Sequence, residues 1–98
     1  MRQSVEIKKI LAEGKIGDTL SVNGWVRTKR ASKNVAFINL NDGSTLHNIQ
    51  VVVDVNKFDR EILDQITTGA AIAAEGELVE SKGAGQNVEL VAGKIHLY

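Results

Sequence analysis

The sequence predicts an all-β domain: five strands closed into a barrel, one helix between the third and fourth strands, and a short helix ahead of the first. Three observations carry this. Five runs alternate apolar and polar residues with period two, as strands with one buried face do. Turn-forming clusters separate several of those runs, most clearly Asn41-Asp42-Gly43-Ser44. A single stripe at helical spacing, Phe58, Ile62, Leu63 and Ile66, falls between the third run and the fourth.

The elements follow in order. Residues 1–14 form a helical lead-in, in which Ser4 is the expected cap, Ile7, Ile10 and Leu11 recur at helical spacing, and Gly14 stops the helix. A helix of about two turns persists only by leaning on the rest of the domain. The first strand spans 20–30, with a bend or bulge expected at Gly24. A polar loop, 31–34, leads to the second strand at 35–41. The Asn-Asp-Gly-Ser turn then makes a hairpin with the third strand at 47–54. Asn56 is placed to cap the helix, which runs to about Ile66 and is followed by Gly69. The fourth strand spans 70–79, a flexible loop with Gly83 and Gly85 spans 81–87, and the fifth strand spans 88–97 with a bend at Gly93. Three strands, a helix and two strands is the plan of the oligonucleotide-binding (OB) barrel, and closure removes most of the sheet edge.

Ninety-eight residues suit one domain, so residues 1–98 are read as a single barrel. There is no repeat, linker or low-complexity segment. The chain has no Cys, which excludes disulfides and thiolate metal sites. His47 and His96 lie apart, without a ligand-spaced partner, so no metal is expected. No apolar run approaches a membrane span, and the first residues lack the continuous apolar region of a signal peptide. A cytoplasmic location without a membrane partner is expected. Loop 81–87 lacks the Gly-Lys-Ser/Thr ending of a phosphate loop, and no trio of nucleophile, base and orienting group stands out, so no catalysis is expected of this chain.

Twelve basic and twelve acidic residues leave a formal net charge of zero, which argues against strong, sequence-independent binding to nucleic acid. The distribution is uneven, however. No acid lies between Asp18 and Asp42, while Arg27, Lys29, Arg30 and Lys33 cluster there. Alternation in the second strand sets Ala36, Ile38 and Leu40 inward and Phe37 outward. The competing reading, Phe37 as a core residue, is weakened because Ile38 and Leu40 already supply the inward face. The same alternation sets Gln50 outward on the third strand and Glu89 outward on the fifth. On the first strand it sets Trp25, Arg27 and Lys29 outward, with Trp25 walling one side of the site or covering a barrel end. An aromatic, an amide, a carboxylate and cations on one face are what a single-stranded nucleic-acid site needs: a base stacks, its edge is read, its phosphate is neutralised.

The phrases GWVRTKR, FINLNDGS and IQVVVD, spread over 24–54, resemble the N-terminal anticodon-binding domain of the class II aspartyl, asparaginyl and lysyl-tRNA synthetases. The turn at 41–44 and the stretch 67–90 are most similar to the asparaginyl type. The resemblance covers essentially the whole chain. It implies that Phe37 stacks on the central anticodon uridine, Gln50 hydrogen-bonds that base's edge, Arg30 helps hold the loop, and Glu89 lies near the neighbouring base. It also implies a parent asparagine–tRNA ligase, a homodimer using ATP and Mg on a catalytic domain whose motifs are absent from this sequence. The module itself would need no cofactor, would bind the tRNA anticodon loop, and would be a monomer in isolation. An end at Tyr98 is what a domain cut ahead of a hinge would give. The alternative is a stand-alone barrel that binds single-stranded nucleic acid generally, or a protein partner.

Overall fold

The computed structural model describes residues 4–81 and 88–98. Among them five strands close into a barrel: β1 (Thr19–Ala31), β2 (Val35–Asn41), β3 (Ile49–Asp54), β4 (Ala71–Glu80) and β5 (Val88–Leu97), in the order β1-β2-β3-β5-β4. All neighbours are antiparallel except β3 and β5, which run parallel. Helix α1 (Ile7–Glu13) precedes β1, and a 3-10 turn (Val55–Lys57) and helix α2 (Arg60–Gln65) join β3 to β4. The predicted all-β OB barrel, with its two helices in these places, is what the chain forms. Of loop 81–87, only Ser81 lies within the described residues.

The inward residues of the strands fill the barrel. Val22, Ile38, Leu40, Ile49, Val51, Ile72, Leu78 and Leu90 are fully buried. Ile7 and Ile10 of α1, and Leu63 and Ile66 at the end of α2, join the same core. Burying a side chain of this size contributes roughly 1.5–3 kcal/mol, which is how two such short helices persist.

Four local expectations are corrected. Gly24 is not the bulge of β1: the register shifts between Val26 and Thr28, so Arg27 is the extra residue. Gly24 instead permits close approach, because a Cβ there would stand 2.7 Å from the Asn41 carbonyl oxygen. Ser4 does not cap α1; its Oγ accepts from the Asn23 N–H (3.2 Å). Asp42 Oδ2 accepts from the Ile7 N–H (3.0 Å) and Ser44 Oγ from the Lys8 N–H (3.0 Å), so the β2–β3 turn caps the helix from outside. The cap of α2 is Asp59, which accepts from the Glu61 N–H (2.9 Å), and the chain from Asn56 to Phe58 belongs to the 3-10 turn and its end. The helix is therefore one turn shorter than its apolar stripe suggests, and Ile62 is left exposed. A second bulge, in β5 at Gly93, opposes the step from Glu75 to Gly76, where a bend was expected.

Candidate nucleic-acid interface

Register sets the outer face of β1, β2, β3 and β5 into two rows. Arg30 lies opposite Phe37, Phe37 opposite Val52, and Val52 opposite Val91. One step along, Thr28 lies opposite Asn39, Asn39 opposite Gln50, and Gln50 opposite Glu89. The first row is a cation followed by an apolar floor. The second is a line of hydrogen-bonding groups. Phe37, Val52, Asn39, Gln50 and Glu89 are half-buried, and Val91 is 42% exposed.

The Arg30 guanidinium carbon sits 5.7 Å from the centroid of the Phe37 ring, within cation–π range. Asn39 Nδ2 donates to Thr28 Oγ1 (2.8 Å), and Asn39 Oδ1 is buried with no hydrogen-bond partner. Gln50 Nε2 donates to Glu89 Oε2. The face thus brings Phe37, Gln50, Arg30 and Glu89 together, although they come from four different strands.

Three residues expected beside Phe37 lie elsewhere. The bulge at Arg27 adds one residue to β1, and because strand faces alternate with period two, every side chain after it changes sides. Lys29 pairs with the inward residue Ile38, and its Nζ donates to the Leu63 carbonyl (2.6 Å) in the last turn of α2, where a cation is favoured. The outward expectation for Lys29 is therefore reversed, and Arg30 takes the place beside the ring. Trp25 does face outward, 42% exposed, but opposite Asn41, which is four residues along β2 from Phe37 and so about 13 Å away. There it lines a separate groove of about 390 Å³ with Tyr98 and Ala71. Arg27, at the bulge, lines an open groove of about 470 Å³ with Asn41, Asn48 and the turn residues 43–46. Lys33 is exposed in the loop just beyond Arg30 and Phe37.

Sequence reasoning missed Thr28, Asn39, Val52 and Val91, of which Asn39 and Val52 were legible from the alternation that sets Phe37 and Gln50 outward. Thr28 was hidden by the bulge. Val91 was legible, since it follows Glu89 by two in the fifth strand.

The turn that leads from β2 to β3 is built on side chains. Asn41 Nδ2 donates to the Thr45 carbonyl (3.1 Å), the His47 carbonyl (3.2 Å) and Asn48 Oδ1 (3.1 Å), while its Oδ1 accepts from the Gly43 N–H (2.8 Å). Gly43 takes the positive φ, 83°, that such a turn requires. At Asp42, burial pushes the carboxyl pKa up, but hydrogen bonds from the Ser44 hydroxyl and from the Ile7 and Ser44 N–H groups outweigh it and hold the group below its ordinary value.

Among the described residues there is no group of three or more His, Asp or Glu that could hold a metal ion. No helix among them is long and apolar enough to cross a membrane.

A closed five-stranded barrel in the order β1-β2-β3-β5-β4, with a helix between β3 and β4, is a barrel of the oligonucleotide-binding class. The chain belongs to the OB-fold nucleic acid binding domain family, whose model matches residues 20–98. It is 53% identical over 92 residues to the asparagine–tRNA ligase of Porphyromonas gingivalis, covering 94% of this chain and 20% of that one. It is 50% identical over 88 residues to the asparagine–tRNA ligase of Cytophaga hutchinsonii, covering 88% of this chain and 19% of that one. The chain thus spans about a fifth of the length of these relatives. Among solved structures it resembles the asparaginyl-tRNA synthetase of Pyrococcus horikoshii, with a TM-score of 0.80 at 20% identity, over 99% of this chain and 23% of that one. At that identity the likeness speaks for the fold alone.

Proposed function

We propose that this domain is the anticodon-binding module of an asparagine–tRNA ligase. The observation that carries the reading is the juxtaposition of Phe37, Arg30 and Gln50 on one outer face, together with about 50% identity to asparagine–tRNA ligases along nearly the whole chain. An unpaired anticodon base lays its ring on Phe37 and Val52. Gln50, one residue pair along, meets that base's pairing edge. Arg30 swings between the ring face and a phosphate. Arg27 and Lys33 flank the row and neutralise the backbone on either side, while Lys29 holds α2 and Trp25 walls the groove beyond the turn.

The parent reaction is the ATP-driven activation of asparagine and its transfer to tRNA, carried out in the cytoplasm by a homodimer whose catalytic part, with its ATP and Mg, lies outside these residues. The module's share is selection through binding.

The test is titration of the chain, and of Phe37→Ala, with an asparagine-type anticodon stem-loop. Loss of base stacking on an aromatic costs about 1–3 kcal/mol, so the variant should bind roughly five- to 150-fold more weakly. Its melting temperature should change little, because Phe37 is only half-buried. A large fall in melting temperature with unchanged RNA binding would assign Phe37 to the core instead.

A further inference from the structure

A primary amide by itself does not tell uracil from cytosine. Along the pairing edge uracil offers an acceptor at position 4 and a donor at N3, whereas cytosine offers a donor at position 4 and an acceptor at N3. An amide has both an acceptor oxygen and a donor nitrogen. It matches uracil in one orientation and cytosine in the other, and the two differ only by a half-turn of the end group. Discrimination therefore requires something that holds the amide one way round.

In this structure the neighbours of Gln50 do that. Across the strand pair on one side is Glu89, whose Oε2 accepts from Gln50 Nε2. An ionised carboxylate only accepts. A half-turn of the Gln50 end group would set Oε1 against that carboxylate, acceptor against acceptor, and lose a charge-assisted bond. Across the strand pair on the other side is Asn39, which uses its amide N–H on Thr28 Oγ1 and leaves Oδ1 unpartnered. The Asn39 amide nitrogen is thus directed to Thr28 Oγ1 rather than to Gln50 Oε1. One Nε2 hydrogen is held at Glu89, and the other, with Oε1, remains for a ligand.

We propose that Glu89 is a positioning residue that fixes the hydrogen-bond polarity of Gln50, so that the site takes a pyrimidine carrying a hydrogen on N3 and rejects one without it. This rests on the reading that the face binds an anticodon loop. It gives Glu89 a role through Gln50, separate from its place near the neighbouring base.

The experiment compares wild type, Glu89→Gln and Gln50→Ala, each titrated at one salt concentration with two stem-loops that differ only in uridine or cytidine at the central anticodon position. Glu89→Gln keeps the size of the side chain but offers either a donor or an acceptor, so Gln50 is free to turn. The wild type should prefer the uridine loop by about tenfold or more. In Glu89→Gln that preference should collapse chiefly because the cytidine loop binds more tightly, a gain that mere loss of structure would not produce. If Gln50→Ala loses the preference while Glu89→Gln retains it in full, Gln50 reads the base without help from Glu89 and the proposal is wrong. A wild type indifferent to the base, or a Gln50→Ala variant that still prefers uridine, overturns the reading of the face as well, since Gln50 would then read nothing.

Discussion

The Arg30 guanidinium lies over the Phe37 ring, while its sequence neighbour Lys29 reaches the other way, to the Leu63 carbonyl. Two adjacent cations thus have different work, and single substitutions separate it. Arg30→Ala should weaken RNA binding without lowering the melting temperature, because the side chain is exposed. Lys29→Ala should leave RNA binding nearly intact and destabilise the fold by about 1–2 kcal/mol, the usual contribution of a hydrogen bond to a charged group that is only partly shielded from water. Thermal melts and RNA titrations on both variants check this. Equal losses of RNA affinity in the two would mean that Lys29 leaves Leu63 for the ligand.

At the scale of elements, the β2–β3 turn and α1 hold each other. Asp42 and Ser44 cap the helix, and Asp42 also orders its own turn through the Ser44 N–H (3.0 Å) and hydroxyl (2.6 Å). The folded-state pKa of Asp42 is lowered, so its contribution is fully present above the ordinary carboxylate value of about 3.9 and is lost as pH falls from there through the lower folded value. Asp42→Asn, which removes the charge but keeps an acceptor, should therefore melt below wild type at neutral pH, and the gap should close in strongly acidic solution. A gap independent of pH would show that the charge contributes nothing.

These elements also mark what was legible. The turn chemistry of Asn41, Asp42 and Gly43 is local, so it could be read from four residues. The external cap could not, because it pairs residues more than thirty positions apart, and a nearby serine looked sufficient. Strand alternation placed Phe37, Gln50 and Glu89 correctly, since β2, β3 and the first half of β5 are regular where those residues stand. It failed for Lys29 because a one-residue bulge leaves no mark on the hydrophobic pattern of an exposed, basic strand end, yet reverses every face beyond it. Gly24 drew the expectation of a bulge because a glycine in a strand signals either a bulge or a close approach, and sequence does not separate the two.

For the whole molecule, a net charge of zero hides a polarity across the barrel. The cations Arg27, Arg30 and Lys33 lie in the second half of β1 and its loop, whereas β4, which pairs with the first half of β1 and with β5, carries Glu75, Glu77 and Glu80. A nucleic-acid backbone is thus drawn to the second half of β1 and its loop and turned away from the β4 end of the sheet. With Lys29 engaged at α2, three cations remain for phosphates. At roughly −0.7 per contact on a single strand, log affinity should fall against log salt with a slope of about −2. A slope near zero would mean that binding owes nothing to these side chains.

The most direct test of the central claim is chemical-shift mapping of the isotope-labelled chain during titration with an anticodon stem-loop carrying a central uridine. The largest changes should fall on Arg30, Phe37, Gln50, Val52, Glu89 and Val91, with the groove of Trp25 and Tyr98 and the exposed side of α1 little affected. Changes centred on that groove or on α1, with the two rows of the outer face silent, would contradict that claim.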